Sequence, residues 1–443
     1  MYVVIVGAGE VGSAIAANLA ASHDVAVIDV DGARVENLMY DTDVLGVQGD
    51  GADLDTLDDV NIDEVDILIA STDDDETNIV TCSTTMTVTE AFTISRVRGA
   101  KYLRTWQLSE RAFGIDHMVA TNLLTAETIA RVVSLPAAQD VDVFADGLVQ
   151  MAEFEISESS PVANLTVQEA DRYESLTFAA ILREDRVIIS RGETVLEPGD
   201  DVIIIGSPES IHTFAHELEP STNGKPSVLI IGGSDIGYHT ARLLQERGLN
   251  PRLVEQNHDR ARELAESLYG TTVLESDPTD RRFLQQEGIN NVDIVITALN
   301  NDEQNLFAGL LAKRLGAKRA VTVVDSGEYV DLFEEVGIDV AVNPREATAE
   351  EITRFTREHQ AENLAIIESD YAEVLEIEVD EESVLVDRPI RESVGHLPNG
   401  VVLGSITRDG ELVIPRGDTI VKHGDHVVVF VAIEALEETS SKL

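Results

Sequence analysis

Cysteine is nearly absent from this 443-residue chain: Cys82 stands alone, so no disulfide can form within it. Long apolar runs are missing too, and none approaches the ~20 residues that a membrane helix needs. Positive charge is scarce, with 32 Lys plus Arg against 82 Asp plus Glu and a formal net charge of −50. Only six of the cations are lysines. A surface of that sign repels nucleic-acid phosphate and argues against a DNA or RNA reader. No basic region precedes the first strand, so the expectation is a soluble cytosolic chain without a signal peptide.

Apolar content is ordinary, at 43%, and it is periodic, which speaks for folded domains rather than charge-driven disorder. The length exceeds what one core serves and suggests about three domains. An acidic, lysine-poor surface suits molar salt, where repulsion is screened within ~3 Å. A halophile's surface is therefore expected; the other reading is a specific acidic binding face.

The chain repeats itself. "VVIVGAGEVG" at Val3–Gly12 returns as "VLIIGGSDIG" at Val228–Gly237. Asp29 matches Glu255, "STDDDETN" matches "ALNNDEQN", and "GIDHMVATNLLTAETI" matches "GIDVAVNPREATAEEI". "ISRGETVLEPGDDVIIIG" matches "IPRGDTIVKHGDHVVVFV". These anchors keep nearly one offset, which means a duplication. In each half, about 130 residues alternate apolar strands with amphipathic helices, the pattern of a parallel sheet covered on both faces. Strands are read at 2–6, 25–29, 44–47, 66–70 and 92–97, and helices near 11–21, 32–40, 53–58 and 75–87. The Thr-rich run "TCSTTMTVTEAFTI" disfavours helix and leaves the boundary near 87 open. "TNLLTAETIARVVSL" reads as one more helix, stopped by Pro136. The next ~75 residues read as short strands and turns. The expected class is α/β, with two Rossmann-like parallel-sheet domains, each followed by a small β-rich α+β domain. The segments are 1–135, 140–220, 226–358 and 365–443. "LPAAQDVDVFADG" is read as a joint and "EPSTNGKPS" as the linker between halves.

Gly7, Gly9 and Gly12 form a complete G-x-G-x-x-G that follows a strand and opens a helix, and Asp29 ends the next strand. That context is what a dinucleotide-binding fingerprint requires. Gly7 permits the turn, Gly9 lets backbone approach a pyrophosphate, and Gly12 lets the helix pack on the strand. Ala8, Glu10 and Val11 complete the loop. The helix N-terminus offers free N–H groups to phosphate. Asp29 can accept hydrogen bonds from both ribose hydroxyls and repels a 2′-phosphate, so NAD(H) or an adenine nucleotide fits and NADP does not. Other strand ends carry "QGD" with Asp50, "ASTDD" with Ser71 and Thr72, and "SRVR" with Arg96 and Arg98. The two arginines face phosphate or form a surface ion pair.

Nothing in the sequence supplies an acid–base pair, a metal spacing, a nucleophile elbow or a Walker lysine. His117 has Val340 as its counterpart, His423 and His426 flank a turn, and Cys82 reads as a small core residue. A ligand that shifts the arrangement of domains accounts for this pattern better than turnover. An NAD-dependent oxidoreductase with an unrecognised active site is the alternative, and a scaffold that binds no nucleotide is a third.

The motifs "VGAGEVG", "VQGD", "STDDDETNIV", "GGSDIG", "NNDEQNLFAGLLAKRLGAKR", "GIDVAVNPREAT" and "PRGDTIVKHGDHVVVF" resemble those of the TrkA-type regulatory subunits of Trk potassium uptake systems. The likeness spans nearly the whole chain, and the two repeated units are similar to regulator-of-potassium-conductance (RCK) domains. The resemblance implies a cytoplasmic protein that binds NAD(H), or ATP or ADP as in relatives. It implies a homo-oligomer, dimer or tetrameric ring, peripheral to the membrane and gating a TrkH-like potassium translocator. By the same resemblance Gly7, Gly9, Gly12, Asp29, Asp50 and Thr72 belong to the nucleotide site.

Half two departs from the pattern. It keeps Gly232, Gly233, Gly237 and the acid Glu255, but Ser234 replaces the middle glycine and Ser276 stands where half one has Gly49. A Cβ at Ser234 crowds the approach to a pyrophosphate, so the second pocket is expected to bind dinucleotide weakly, to be empty, or to hold a smaller ligand. "FAGLLAKRL" and "TNLLTAETIARVV" either join subunits or pack within their own domains. In titrations with NADH, NAD, ATP and ADP, Asp29→Ala should weaken binding far more than Glu255→Ala; equal losses would contradict the asymmetry.

Overall fold

The apolar run Tyr2–Val6 forms strand β1, followed by β2 Asp24–Asp29, β3 Leu45–Gln48, β4 Ile67–Ala70, β5 Phe92–Val97 and β6 His117–Ala120. The computed structural model describes residues 1–443 apart from 21, 109–111, 136, 184–185, 219–224, 358–362, 368–371, 382, 441 and 443. The expected stop at Pro136 and most of the expected linker at 219–227 lie outside the described residues. The six strands pair in parallel in the order β3-β2-β1-β4-β5-β6. Strand order reverses beside β1, which opens a crevice at the strand C-termini. Both faces are covered. Val3 and Ile5 pack with Ile15, Ala16 and Leu19 of the helix Glu10–Ala20, and Val4 and Val6 pack with Leu57 and Cys82 on the other side.

An antiparallel sheet follows: β7 Ala138–Phe144, β8 Val149–Glu155, β9 Leu176–Leu182, β10 Val187–Ile189 and β11 Asp201–Gly206, in the order β10-β9-β11-β8-β7. Half two repeats the plan. Its parallel sheet has β12 Val228–Ile231, β13 Arg252–Glu255, β14 Thr272–Glu275, β15 Ile294–Thr297, β16 Arg319–Val323 and β17 Val340–Val342, ordered β14-β13-β12-β15-β16-β17. Its antiparallel sheet has β18 Asn363–Ile367, β19 Ala372–Glu378, β20 Val401–Arg408, β21 Glu411–Val413 and β22 His426–Ala432, ordered β18-β19-β22-β20-β21.

Three local expectations need correction. The stretch read as a joint, 135–147, contains β7, an edge strand whose Val141 and Phe144 are buried. Its acidic residues mimic a loop, yet Asp140 and Asp142 are half-buried within the strand, and Asp142 lies 3.7 Å from the Arg131 guanidinium. The strand β6 has no counterpart among the strands expected from the sequence; it is four residues long and opens on a histidine, so its apolar run is short. The helix read to 87 is Asp75–Thr85, with Met86 as its C-cap. Inside it Thr85 Oγ1 donates to the Thr81 carbonyl at 3.0 Å, which satisfies a buried hydroxyl that would otherwise oppose helix.

The chain divides into two compact units, each drawn from both halves. One comprises Met1–Ala130 with Lys225–Thr356, and the other Arg131–Gly224 with Arg357–Leu443. In the first, the helix Pro344–Arg357 of half two completes half one: Ala349 and Ile352 enter its core. Phe355 stacks on Phe92 at 5.5 Å and on His117 at 3.8 Å between ring centroids. In the second, Phe144, Met151, Ile203 and Ile205 share a core with Val374, Val428 and Phe430.

Within that second unit the duplication is visible atom by atom. Arg183 grips Asp200 through Nε and Nη2 at 2.6 and 2.7 Å, and Arg408 grips Asp425 through the same atoms, both at 2.7 Å. Asp200 and Asp425 side chains are each 1% exposed. Each also accepts the backbone N–H three residues back, from Glu197 and Lys422, and so holds its turn closed. Burial pushes the Asp425 carboxyl up, but the Arg408 guanidinium and the Lys422 amide outweigh it and hold it below the usual range. A folded pKa below the unfolded one adds stability above the unfolded pKa, and this is lost as pH falls through the folded value. Asp425→Asn should therefore cost about 3 kcal/mol in urea unfolding at neutral pH, and the deficit should shrink on acidification.

Candidate functional site

The crevice beside β1 is shaped by the glycine loop. Gly7 sits at φ +109°, and a Cβ there would lie 2.9 Å from the Thr72 nitrogen. A Cβ at Gly12 would lie 1.7 Å from the Gly7 carbonyl oxygen. Packing of the protein on itself thus requires both glycines. Gly9 is different: a Cβ there would meet only the Arg34 guanidinium, at 3.7 Å. Among the described residues nothing demands glycine at that position. It faces a cavity of about 440 Å³ at the N-terminus of the helix Glu10–Ala20. A group that needs close backbone approach there explains it.

Most of the residues singled out in half one converge on this cavity. Gly7, Gly9, Glu10, Val11, Asp29, Asp50, Ser71, Thr72 and Arg96 line it. Ala8 and Gly12 stand behind the wall. The Ala8 amide donates to Asp29 Oδ2 at 2.6 Å, and the Asp31 amide donates to Oδ1 at 2.8 Å. The acid at the end of β2 is thus aimed by the loop itself, and each oxygen retains a lone pair for a ribose hydroxyl. Asp50 Oδ1 accepts from the Ala52 amide at 3.0 Å.

Arg96 is 3% exposed, and its Nη1 donates to the Ser71 and Thr72 carbonyls and to Asp73 Oδ1, at 3.3, 3.4 and 3.3 Å. Arg98 meets the same Asp73 oxygen at 2.5 Å and lines an adjoining cavity of about 500 Å³ rather than the first. Burial alone would raise the Asp73 carboxyl; Arg98 and Arg96 overcome that and hold it below its usual range. Asn78 locks the strand end: its Oδ1 accepts from the Thr72 amide at 2.9 Å, and its Nδ2 donates to the Thr72 and Arg96 carbonyls, both at 2.9 Å.

Two guanidiniums escaped the sequence reading. Arg34 lines the cavity from the helix Gly32–Asp41. A signal existed, since Arg34 follows Asp29 by five residues and Arg260 follows Glu255 by five. Arg345 lines it from half two, with Nη1 2.7 Å from Glu10 Oε2. No local pattern announces that, because only folding brings the helix Pro344–Arg357 to this site.

In half two, Gly233 and Glu255 line a cavity of about 470 Å³, with Gly232 and Gly237 behind it. Gly237 again packs on the Gly232 carbonyl, where a Cβ would lie 2.1 Å away. Glu255 accepts from the Gly233 amide at 2.8 Å, as Asp29 does from Ala8. Ser234 does more than add bulk. Its hydroxyl caps the helix Asp235–Glu246, accepting from the Gly237 amide at 3.2 Å. Arg260 Nε donates to the Gly233 carbonyl at 2.8 Å, and Nη2 meets Asp235 at 3.2 Å. Asn305 repeats the bonds of Asn78, to Leu299 and to the Val323 carbonyl. That fixes the register: Val323 occupies the place of Arg96, and Asp325 that of Arg98. Half two has exchanged two cations for a valine and a carboxylate.

Three other titratable residues singled out in the sequence are held within the fold. Burial pushes the Cys82 thiol up to about 12. His117 is caught in the aromatic stack with Phe355, and His423 Nδ1 lies 3.1 Å from the Val379 carbonyl. Among the described residues no cluster of three or more His, Cys, Asp or Glu could hold a metal ion.

Known proteins place this architecture. The TrkA-N domain model matches residues 3–121 and 228–344, and the TrkA-C domain model matches 151–219 and 374–443. "Trk system potassium uptake protein TrkA homolog 1" of Methanosarcina mazei is 35% identical over 99% of both chains. The TrkA of Halomonas elongata is 33% identical over 97% of this chain and 96% of its own. Among solved structures, the "GsuK channel bound to NAD" superposes with a TM-score of 0.62 at 18% identity, covering 100% of this chain and 78% of that one, a likeness of fold. With both domain types alternating twice along its length, and with relatives of this identity matching it end to end, the chain belongs to the TrkA family of Trk-system potassium uptake proteins.

Proposed function

We propose that this protein is a nucleotide-binding regulatory subunit of a Trk-type potassium uptake system, and that the half-one cavity is its sensing site. The observation that carries the reading is Gly9, a glycine that the protein's own packing does not need, set at a helix N-terminus over a cavity that Asp29 faces. NAD(H) is the ligand that best suits it, with ATP or ADP as the other candidates; when bound, it adds phosphate charge and ribose hydroxyls to the site. Loop amides and the helix end hold the phosphates, Asp29 holds the ribose, and Arg34 and Arg96 supply charge. Segments 1–135 and 226–358 form the nucleotide-binding modules, and 140–220 and 365–443 the C-terminal ones.

Half two supports the assembly more than it senses. Ser234 already caps the amide end there, and no cation stands at Val323 or Asp325. The partner is a membrane potassium translocator of TrkH-like type, reached by a homo-oligomer at the cytoplasmic face. No helix among the described residues is long and apolar enough to cross a membrane. Regulation proceeds by differential affinity: a nucleotide that binds one arrangement of the assembly more tightly shifts the population toward it. Relatives named as Trk-system potassium uptake proteins along their full length support this reading.

Calorimetric titration of the purified chain, with NADH absorbance followed in parallel, tests the proposal. Saturable binding of one nucleotide per chain without consumption of NADH is expected; steady oxidation of NADH with a small substrate would sink it. Gly9→Ala should fold normally and lose roughly tenfold in nucleotide affinity, whereas Gly12→Ala should fail to fold to the native state. Ser234→Gly should leave the stoichiometry at one, because Val323 and Asp325 remain.

A further inference from the structure

Position 345 is where the two halves trade roles. By the repeat, Arg345 of half two corresponds to Asn122 of half one. Arg345 lines the half-one cavity, and Asn122 lines the half-two cavity. Each half thus lends one side chain to the other's site, and only one of the two is charged. Arg345 is held for this task. Its amide donates to Asn343 Oδ1 at 2.8 Å at the start of the helix Pro344–Arg357, and that helix is fixed to half one by Ile352 and Phe355. Its fork spans Glu10 Oε2 at 2.7 Å and Asp325 Oδ2 at 3.0 Å, and its side chain is only 23% exposed.

Charge makes this residue decisive. Five carboxylates (Glu10, Asp29, Asp50, Asp73 and Asp74) line the half-one cavity against three guanidiniums, Arg34, Arg96 and Arg345. Arg96 is largely committed to Asp73 and two carbonyls. Glu10 stands in the first turn of the helix Glu10–Ala20, beside the place a phosphate takes at a helix N-terminus. Two like charges about 4 Å apart near a protein surface repel by several kcal/mol, so phosphate and Glu10 need a cation between them. A guanidinium carries five donors in a planar fork and can keep Asp325 on one edge while it turns the other from Glu10 to phosphate.

We infer that Arg345 is a phosphate-binding residue through which half two reads the charge of a nucleotide bound in half one, exchanging Glu10 for a phosphate oxygen and so tying the halves together when ligand is present. The inference rests on the nucleotide reading above and goes beyond it in assigning the coupling to one side chain.

The test uses the full chain and the series adenosine, AMP, ADP and ATP, with calorimetric affinities for wild type, Arg345→Gln, Arg345→Lys and Glu10→Gln, and thermal melts without ligand. Arg345→Gln should lower ADP and ATP affinity about tenfold or more, leave adenosine within about twofold, and keep the ligand-free melting temperature close to wild type. Arg345→Lys should recover part of the loss, and Glu10→Gln should tighten ADP binding. Slowed amide exchange in residues 345–356 on adding ADP should appear in wild type and vanish in Arg345→Gln. Equal losses for adenosine and ATP, or an unchanged ADP affinity, would overturn the assignment. Should Arg345→Gln not fold, an ADP affinity unmoved by Glu10→Gln and Arg345→Lys alike would overturn it. A wild-type chain that binds none of the four, nor NADH, would overturn the nucleotide reading itself.

Discussion

In both nucleotide-binding modules the first helix lies hard against the turn that precedes it. With a Cβ at Gly12 only 1.7 Å from the Gly7 carbonyl, and one at Gly237 only 2.1 Å from Gly232, neither helix can seat with a side chain there. Everything at the crevice follows from that seating. It aims the helix N-terminus at the crevice, brings the Ala8 and Gly233 amides within reach of Asp29 and Glu255, and leaves position 9 or 234 facing the cavity. The contact belongs to folding, so both halves keep it; what faces the cavity is free to differ.

The two halves then diverge by redistribution of charge on a shared frame. Asn78 and Asn305 make the same bonds to the same carbonyl positions, so the frame around them is preserved. On that frame one site collects Arg96 and borrows Arg345, with Arg98 alongside. The other receives Val323, Asp325 and Asn122, and fills its helix end with the Ser234 hydroxyl. In a chain with 82 acids and 32 bases, the placing of a few arginines is a strong signal of where an anion is welcome.

Much of this was legible in the sequence, and the reason is locality. Apolar runs and glycine spacing act over a few residues, so the strands β1 to β5, the turn and the acid at the end of β2 could be read directly. Ser234 could be singled out because the repeat supplied its comparison. Its capping bond could not, since that depends on the hydroxyl turning back to Gly237. The short strand β6 and the edge strand β7 are hidden by a histidine and by the acidic residues Asp140 and Asp142. Arg345 was beyond reach for a different reason: its role exists only once the helix Pro344–Arg357 has crossed to the other half, and no periodicity encodes that crossing.

The aromatic stack that anchors this helix has an evolutionary consequence. Phe355 and Ile352 are part of the core of a domain encoded more than 200 residues earlier in the chain. A duplicated copy that had only to bind a ligand could be deleted once its binding decayed. This copy cannot be deleted, because its sister domain would lose part of its interior. Selection on that shared interior therefore retains the helix Pro344–Arg357 whatever the second pocket comes to hold.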